Sequence, residues 1–312
     1  MRKKRDLRTA VLTGPTGTIG VALCKRLLKE QVTVYAVCNP SSSRKHVLPE
    51  NVHIVECDLK NLAQLPQKIG EPVDAFFHFA WAKTMGAGRN DMYAQVENIQ
   101  GTLAAAEAAH ALGCQVFVGA GSQAEYGRVE GMLQEKTPCF PENGYGMAKL
   151  CAGQMSRVQC HGFGIDHVWA RILSVYGPYD NTVSMISGTI RTLLEGRCPE
   201  LTKGEQLWDY LYSEDAADAF YRIAVWGQDG AVYPVGSGQV QPLRRYVEQL
   251  RDSIDPALPL NFGTVAYAPQ QVMHLQADIS RLSENTGFVP HTSFPEGISK
   301  TIEWVRREQY ER

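Results

Sequence analysis

The run Thr9-Ala-Val-Leu-Thr13, followed by Gly14-Pro-Thr-Gly17-Thr-Ile-Gly20 and a helical pattern through Ile19, Ala22, Leu23 and Leu27, constrains the fold more than any other stretch. Three glycines join an apolar strand to an apolar-periodic helix. Gly14 permits a tight turn, Gly17 lets backbone approach a pyrophosphate, and Gly20 lets helix pack on strand. The helix start then offers free amides and a partial positive charge to phosphates. A glycine triplet alone reads equally well as an ordinary turn, and the spacing is Gly-x-x-Gly-x-x-Gly rather than Gly-x-Gly-x-x-Gly. The strand before it and the helix after it favour dinucleotide binding. Gly14, Thr16, Gly17, Thr18, Ile19 and Gly20 are therefore the candidate pyrophosphate cradle.

The same alternation continues. Strands are predicted at Val32–Val37, Val52–Glu56, Ala75–Ala80, Val116–Gly119 and Asp166–Ile172, with helices at Thr102–Leu112 and Tyr145–Cys160. Strands alternating with helices argue for a parallel sheet covered on both faces. The expected fold class is α/β, a Rossmann-type doubly wound parallel sheet with a smaller C-terminal substrate-binding lobe. Residues 1–175 form the dinucleotide-binding domain in this reading, with elements returning at about 205–240. After Tyr176-Gly-Pro178 the pattern turns irregular, so 176–312 reads mainly as the substrate lobe, interleaved with the sheet.

Within that frame Tyr145 and Lys149 stand four apart on one helix face, where an ammonium can lie near a phenol. A phenol titrates near pH ~10, so acid–base work at neutral pH requires a cation that favours its anion. Ser122, in Gly119-Ala-Gly-Ser-Gln-Ala-Glu-Tyr-Gly127, supplies a hydroxyl for a substrate oxygen. Ser122, Tyr145 and Lys149 are the candidate catalytic residues.

Charge narrows the classes of partner. The 31 Lys and Arg nearly balance 33 Asp and Glu, leaving no field for nucleic acid or an anionic membrane. The basic start, Met1-Arg-Lys-Lys-Arg5, lacks the apolar run of a signal peptide and reads as a solvated arm. No stretch approaches the ~18 apolar residues that span a bilayer. Eight scattered cysteines without a Cys-x-x-Cys pair read as reduced, mostly buried thiols of a cytoplasmic protein. The histidines show no ligand spacing, so no metal is expected.

The chain resembles the extended short-chain dehydrogenases/reductases, of the NAD-dependent epimerase/dehydratase family that remodels nucleotide sugars. The resemblance rests on Thr13–Gly20, Cys57-Asp58-Leu59, His78-Phe-Ala80, Asn98-Ile-Gln-Gly-Thr102, Ser122 with Tyr126-Gly127, Tyr145 with Lys149, Arg171–Pro178 and Trp208–Asp215. It implies that Asp58 and Leu59 border the adenine and that Phe79, Ala80 and Trp81 line the nicotinamide end. Asn98 joins the cofactor site in this reading. Tyr145 is implied as acid/base, Lys149 as its partner and ribose ligand, and Ser122 as the holder of the reacting oxygen. The helices at 102–112 and 145–160 resemble those that pair in family homodimers. Plainer readings stay open: Trp81 as packing, Asp58 as a turn cap.

Departures from the family pattern narrow the expectation. The position where NAD-using relatives often place an acid falls on Cys38, followed by Asn39, Ser41, Ser42, Ser43 and Arg44. Three hydroxyls and a guanidinium suit a 2′-phosphate. NADP is favoured and NAD is open. Dehydratases carry Asp-Glu after the Ser/Thr; here Gln123 and Ala124 stand there, with Glu125 one step displaced, which argues against dehydration. Trp208 and Ala268 replace two arginines that grip the diphosphate in relatives, and Ser174 replaces an Asn. Arg191, Lys203 or Arg244 are the available replacements. The expected substrate contacts are Trp81, Ser122, Gln123, Ser174, Arg191 and Trp208. The leading expectation is 4-keto reduction of a nucleoside-diphosphate sugar. 4-Epimerisation, a dehydrogenase of a non-nucleotide substrate and an inactive dinucleotide-binding sensor are the alternatives.

Overall fold

A computed structural model describes residues 4–310. The strands in chain order are β1 (Thr9–Thr13), β2 (Thr33–Cys38), β3 (His53–Glu56), β4 (Ala75–His78), β5 (Val116–Ser122), β6 (Asp166–Ile172), β7 (Ser174–Tyr176), β8 (Glu200–Leu201), β9 (Leu207–Trp208), β10 (Tyr210–Tyr212), β11 (Val232–Val235), β12 (Gln241–Pro242), β13 (Asn261–Phe262) and β14 (His274–Leu275). Seven of them form one parallel sheet in the order β11-β6-β5-β4-β1-β2-β3. The order reverses between β1 and β4, and the carboxyl ends on either side of that reversal open a crevice. Such switch points are where doubly wound sheets take their ligands.

The helices are α1 (Thr18–Lys29), α2 (Leu65–Ile69), α3 (Met92–Ala111), α4 (Gly144–Phe163), α5 (Met185–Leu194), α6 (Ser213–Trp226), α7 (Leu243–Ile254), α8 (Ser280–Thr286) and α9 (Phe294–Tyr310). Strand alternation sorts the core between the two faces of the sheet. Ala10 and Leu12 pack with Leu23, Leu27, Phe220 and Ile223 of α1 and α6. Val11 packs with Phe76, Phe117, Ala105 and Ala109, under α3. Burial on both faces is why these strands read as continuous apolar runs. The irregular second half forms three small sheets, β10-β7, β12-β9-β14 and β13-β8. Its own core joins Tyr176, Ile186, Ile190, Tyr212, Ile298 and Ile302 among α5, α9 and the β7–β10 pair.

Three local expectations change. Helix α3 begins ten residues before Thr102, with Asp91 Oδ1 accepting from the Ala94 N–H at 3.2 Å. Its first turns carry exposed Met92, Tyr93 and Val96, so no buried stripe marked them. Strand β5 runs on to Ser122, which makes the candidate catalytic serine its last residue. The solvated-arm reading fails at Arg5, which is buried; residues 1–3 lie outside the described part. The Arg5 guanidinium donates to Asp166 Oδ2 at 2.6 and 3.0 Å and to the carbonyls of Ala224 and Gly227 at 3.0 and 2.9 Å. It thereby meets the carboxyl end of α6, where a cation is favoured. Among the described residues no helix is long and apolar enough to cross a membrane.

Candidate active site

The glycine loop folds beneath the end of β4 because its side chains are missing. Gly14 has φ +70°, and a Cβ on it would lie 2.7 Å from the Ala80 nitrogen. A Cβ on Gly20 would lie 2.5 Å from the Gly14 carbonyl oxygen. Gly17 is different: the nearest atom to an added Cβ is 3.8 Å away. It is also the N-cap of α1, with no side chain capping the helix and no acid in its first turn. Open space in front of uncapped amides fits a diphosphate. A cavity of about 720 Å³ runs from the loop past Asn39, Asp58, Leu59 and Asn98. A second, of about 410 Å³, holds Ser122, Tyr145 and Lys149. Gly14 and Trp81 line both, so the two form one elongated cleft around the loop, with room for a dinucleotide.

The corner beyond β2 departs from expectation. Asn39 Nδ2 donates to Asp58 Oδ2 at 2.8 Å, and the Ser41 hydroxyl donates to Asn39 Oδ1 at 2.7 Å. Arg44 Nη2 donates to the Tyr179 carbonyl at 3.0 Å. Ser42 lines the cleft; Ser41 and Arg44 are engaged elsewhere. The corner thus presents a carboxylate and commits its guanidinium to a backbone carbonyl, which removes the basis for preferring NADP. Counting on from Gly14 puts no acid at this corner; Asp58, named through the family resemblance, reaches it from the segment after β3.

The catalytic candidates converge from β5 and α4. Asn143 Oδ1 caps α4 by accepting from the Gly146 N–H at 2.9 Å. A Cβ on Gly146 would strike the Ala124 carbonyl oxygen at 2.3 Å. This glycine therefore lets the first turn of α4, carrying Tyr145, close on the turn after Ser122. Lys149 is buried and its Nζ donates to the Ala120 carbonyl at 2.6 Å. The ammonium stands 3.7 Å from the Trp81 ring centroid and 5.9 Å from that of Tyr145. Burial draws its pKa down to about 7, against the pull of Glu125. For Tyr145, burial pushes the phenol above its ordinary value and the charge of Glu125 adds to that; the Ser122 hydroxyl and the Arg89 charge act against it.

The neighbours of these groups are held firmly. Trp81 Nε1 donates to Gln95 Oε1 at 2.9 Å, and its ring meets Tyr145 edge-on at 6.1 Å. Asn98 bonds both the N–H and the carbonyl of Ala82, at 2.9 and 3.0 Å, and so fixes the segment that follows Phe79 and Ala80. Buried His78 lies between the Thr13 and Thr102 hydroxyls at 2.9 and 3.2 Å, its pKa drawn down to about 3 by burial.

Glu125 is fully buried and turned from the cleft. It accepts from the Ser122 N–H at 2.8 Å, Trp169 Nε1 at 2.9 Å and Arg171 Nε at 2.7 Å. Trp208 Nε1 donates to Ser174 Oγ at 2.8 Å, so these two candidates meet; of the residues beside Ser174, Ile172, Leu173 and Val175 line the cleft. Gln123 is half-buried in the turn after Ser122. Arg191 pairs with Glu308 between α5 and α9 and does not line the cavity that holds Ser122 and Tyr145. Arg244 lies over the Phe262 ring at 3.9 Å. Sequence reasoning missed Arg89, which stacks on Tyr145, and Asp180, which lines the catalytic cavity. Burial raises the Asp180 pKa, and the Ser184 hydroxyl donates to it at 2.6 Å. Neither residue belongs to a periodic or glycine-marked pattern.

Known proteins share this fold. The dTDP-glucose 4,6-dehydratase of Escherichia coli is 28% identical over 180 residues, covering 55% of this chain and 50% of that protein, so the match spans about half of that relative's length. The UDP-N-acetylglucosamine 4-epimerase of Methanobrevibacter ruminantium M1, solved with UDP-N-acetylmuramic acid, superposes with a TM-score of 0.87 at 25% identity, covering 99% of this chain and all of that one. MoeE5, solved with UDP-glucuronic acid and NAD, superposes with a TM-score of 0.83 at 25% identity, covering 96% and 99%. Residues 10–236 match the model of a single family, whose span takes in the glycine loop, Ser122, Tyr145 and Lys149, and the chain belongs to the NAD dependent epimerase/dehydratase family.

Proposed function

We propose that this protein is an NAD-dependent enzyme that oxidises and reduces C4 of a nucleoside-diphosphate sugar, and that its reaction is 4-epimerisation. The observation that carries this reading is the convergence of Ser122, Tyr145 and Lys149 in one cavity with no Asp-Glu pair among the described residues that line it. In this reading Gly14, Thr16, Gly17, Thr18, Ile19 and Gly20 hold the diphosphate of the cofactor, Asn39, Ser42, Asp58 and Leu59 its adenosine end, and Phe79, Ala80, Trp81 and Asn98 its far end. A bound nicotinamide supplies the site that accepts and returns hydride. Tyr145 takes the proton from the C4 hydroxyl and later gives it back, Ser122 holds that oxygen, and the nearby cations favour the phenolate.

Elimination of water requires further proton-transfer groups. Gln123 and Ala124 offer none, and Glu125 is spent on Ser122, Trp169 and Arg171. Dehydration is disfavoured on that ground although dehydratases are among the relatives. NAD rather than NADP is supported by Asp58 beside Asn39 and by the bound NAD of MoeE5. The Glu125-Tyr-Gly run, which resembles reductases of 4-keto sugars, favours 4-keto reduction as a second reading. Exposed apolar residues on α3 and α4 support a homodimer.

Purified protein distinguishes the readings. The epimerase retains NAD through purification and interconverts C4 epimers of a UDP-, GDP-, CDP- or dTDP-hexose without added cofactor. Net consumption of NADH or NADPH with a 4-keto-6-deoxy sugar nucleotide, and no interconversion, points to the reductase instead. Tyr145→Phe should lower turnover by ~10²–10⁴-fold while NAD affinity stays unchanged. Full activity in that variant removes the mechanism altogether.

A further inference from the structure

Arg89 belongs to the short helical turn Gly86–Asn90 that follows β4. Helix α3 fixes this turn: Gln95 Nε2 donates to the carbonyls of Lys83 and Gly88, each at 3.2 Å. Asn90 Oδ1 accepts from the Gly144 N–H at 3.0 Å, which ties the turn to the residue before Tyr145. The guanidinium carbon is thereby held over the Tyr145 ring, 4.7 Å from its centroid. Arg89 Nε is buried and makes no hydrogen bond, so the side chain is not held there by a polar partner at that atom.

Lys149, the expected cation, is occupied differently. Its ammonium donates to the Ala120 carbonyl and stands over Trp81, with the Tyr145 ring farther off at 5.9 Å. Among the described residues the other charged groups near the phenol are Glu125 on the turn after β5, whose charge acts on it, and Asp180, which lines the same cavity. The Ser122 hydroxyl is the neutral group that faces it.

Given the reading of Tyr145 as acid/base, we infer that Arg89 is a positioning residue that sets the acidity of Tyr145 through the face of its ring, a task Lys149 does not perform alone. A cation over an aromatic face is attracted to the ring's electron density, and ionisation of the phenol increases that density. Arginine keeps its charge at every working pH, whereas burial draws the Lys149 pKa down to about 7. The direction agrees with the Arg89 charge acting to lower the Tyr145 pKa.

The test observes the phenol directly. Tyrosines are replaced by 3-fluorotyrosine, which also brings phenol titration into an accessible range, and the Tyr145 fluorine signal is assigned by its loss in Tyr145→Phe. Titration with and without bound NAD should show the Tyr145 midpoint displaced upward by about one pH unit in Arg89→Gln, and largely restored in Arg89→Lys. Arg89→Met, which keeps an apolar stem on the ring, should show the same upward displacement and replaces Arg89→Gln where that variant does not fold. An unchanged midpoint in a folded neutral variant overturns the inference, whatever that variant does to stability. Turnover is scored separately. Loss of the epimerase reading leaves the titration result standing, and an unmoved titration leaves the epimerase reading standing.

Discussion

Lys149 sits where its charge is costly. It is buried against Trp81, and its ammonium donates to the Ala120 carbonyl. The folded-state pKa of about 7 lies below the ordinary 10.5, so the unfolded chain binds the proton more tightly. Stability relative to a neutral residue therefore rises with pH between about 7 and 10.5, and the full penalty is present below 7. Lys149→Met keeps most of the stem and removes the charge. In the cofactor-free protein it should be more stable than wild type at pH 7, by something of the order of a kcal/mol or more, with the gain shrinking towards pH 10. Urea unfolding at both pH values measures this; a difference that does not change with pH would mean that Lys149 is not desolvated. The same variant should lose turnover, which identifies Lys149 as a residue kept for function at the expense of stability. Glu125 shows the opposite arrangement: three donors satisfy its buried carboxylate, and one of them is the Ser122 backbone N–H.

At the scale of elements, the strand–loop–helix unit of β1 and α1 tests why two of its glycines are there. Gly20→Ala forces a Cβ to within 2.5 Å of the Gly14 carbonyl, so helix and loop must separate; a loss of ~1–3 kcal/mol in urea unfolding is expected, together with NAD affinity. Gly17→Ala meets nothing closer than 3.8 Å and should unfold like wild type, yet weaken NAD binding at least tenfold because its methyl occupies the approach to the helix amides. Equal stability losses in both variants would contradict this division. The unit was legible in the sequence because its constraints are local: an apolar run, glycines where a Cβ does not fit, and a 3.6-residue period. Ser122 at the carboxyl end of β5 and Tyr145 with Lys149 in the first turns of α4 were legible from local spacing as well. What the sequence hid was produced by distance along the chain. Arg5 is buried by Asp166 and by carbonyls at residues 224 and 227, Asp58 reaches Asn39 across two strand ends, and Arg191 is taken by Glu308. Each pairing joins residues that no local period relates. The start of α3 was hidden for a different reason, since its first turns point apolar side chains outward.

Those outward side chains matter for the whole molecule. Helices α3 and α4 cover one face of the sheet and are bridged by Gln159 Nε2 donating to Glu107 Oε1 at 3.2 Å. On α4, Met147, Cys151, Met155 and Val158 recur at intervals of four, four and three, all exposed, Val158 at 64%. On α3, Met92, Tyr93 and Val96 are exposed as well, Tyr93 at 88%. Monomers rarely leave large apolar patches to solvent, and these two helices, which run side by side in the same direction, form a flat surface that a twofold axis can make self-complementary. The homodimer proposed above would place the α3 and α4 of a second copy against these. A stable interface of this kind buries about 1,200–2,000 Å² in total, a size that an interface formed by two helices from each copy can reach. Sedimentation velocity at micromolar concentration should give a dimer for the wild type and a monomer for Met155→Glu combined with Val158→Glu. Neither residue lines the cleft, so NAD binding should persist in the monomer, apart from any loss of stability that accompanies an exposed α3–α4 face. A wild-type protein that sediments as a monomer would remove the dimer. It would then leave the exposed stripe on α4 to be explained by a different partner.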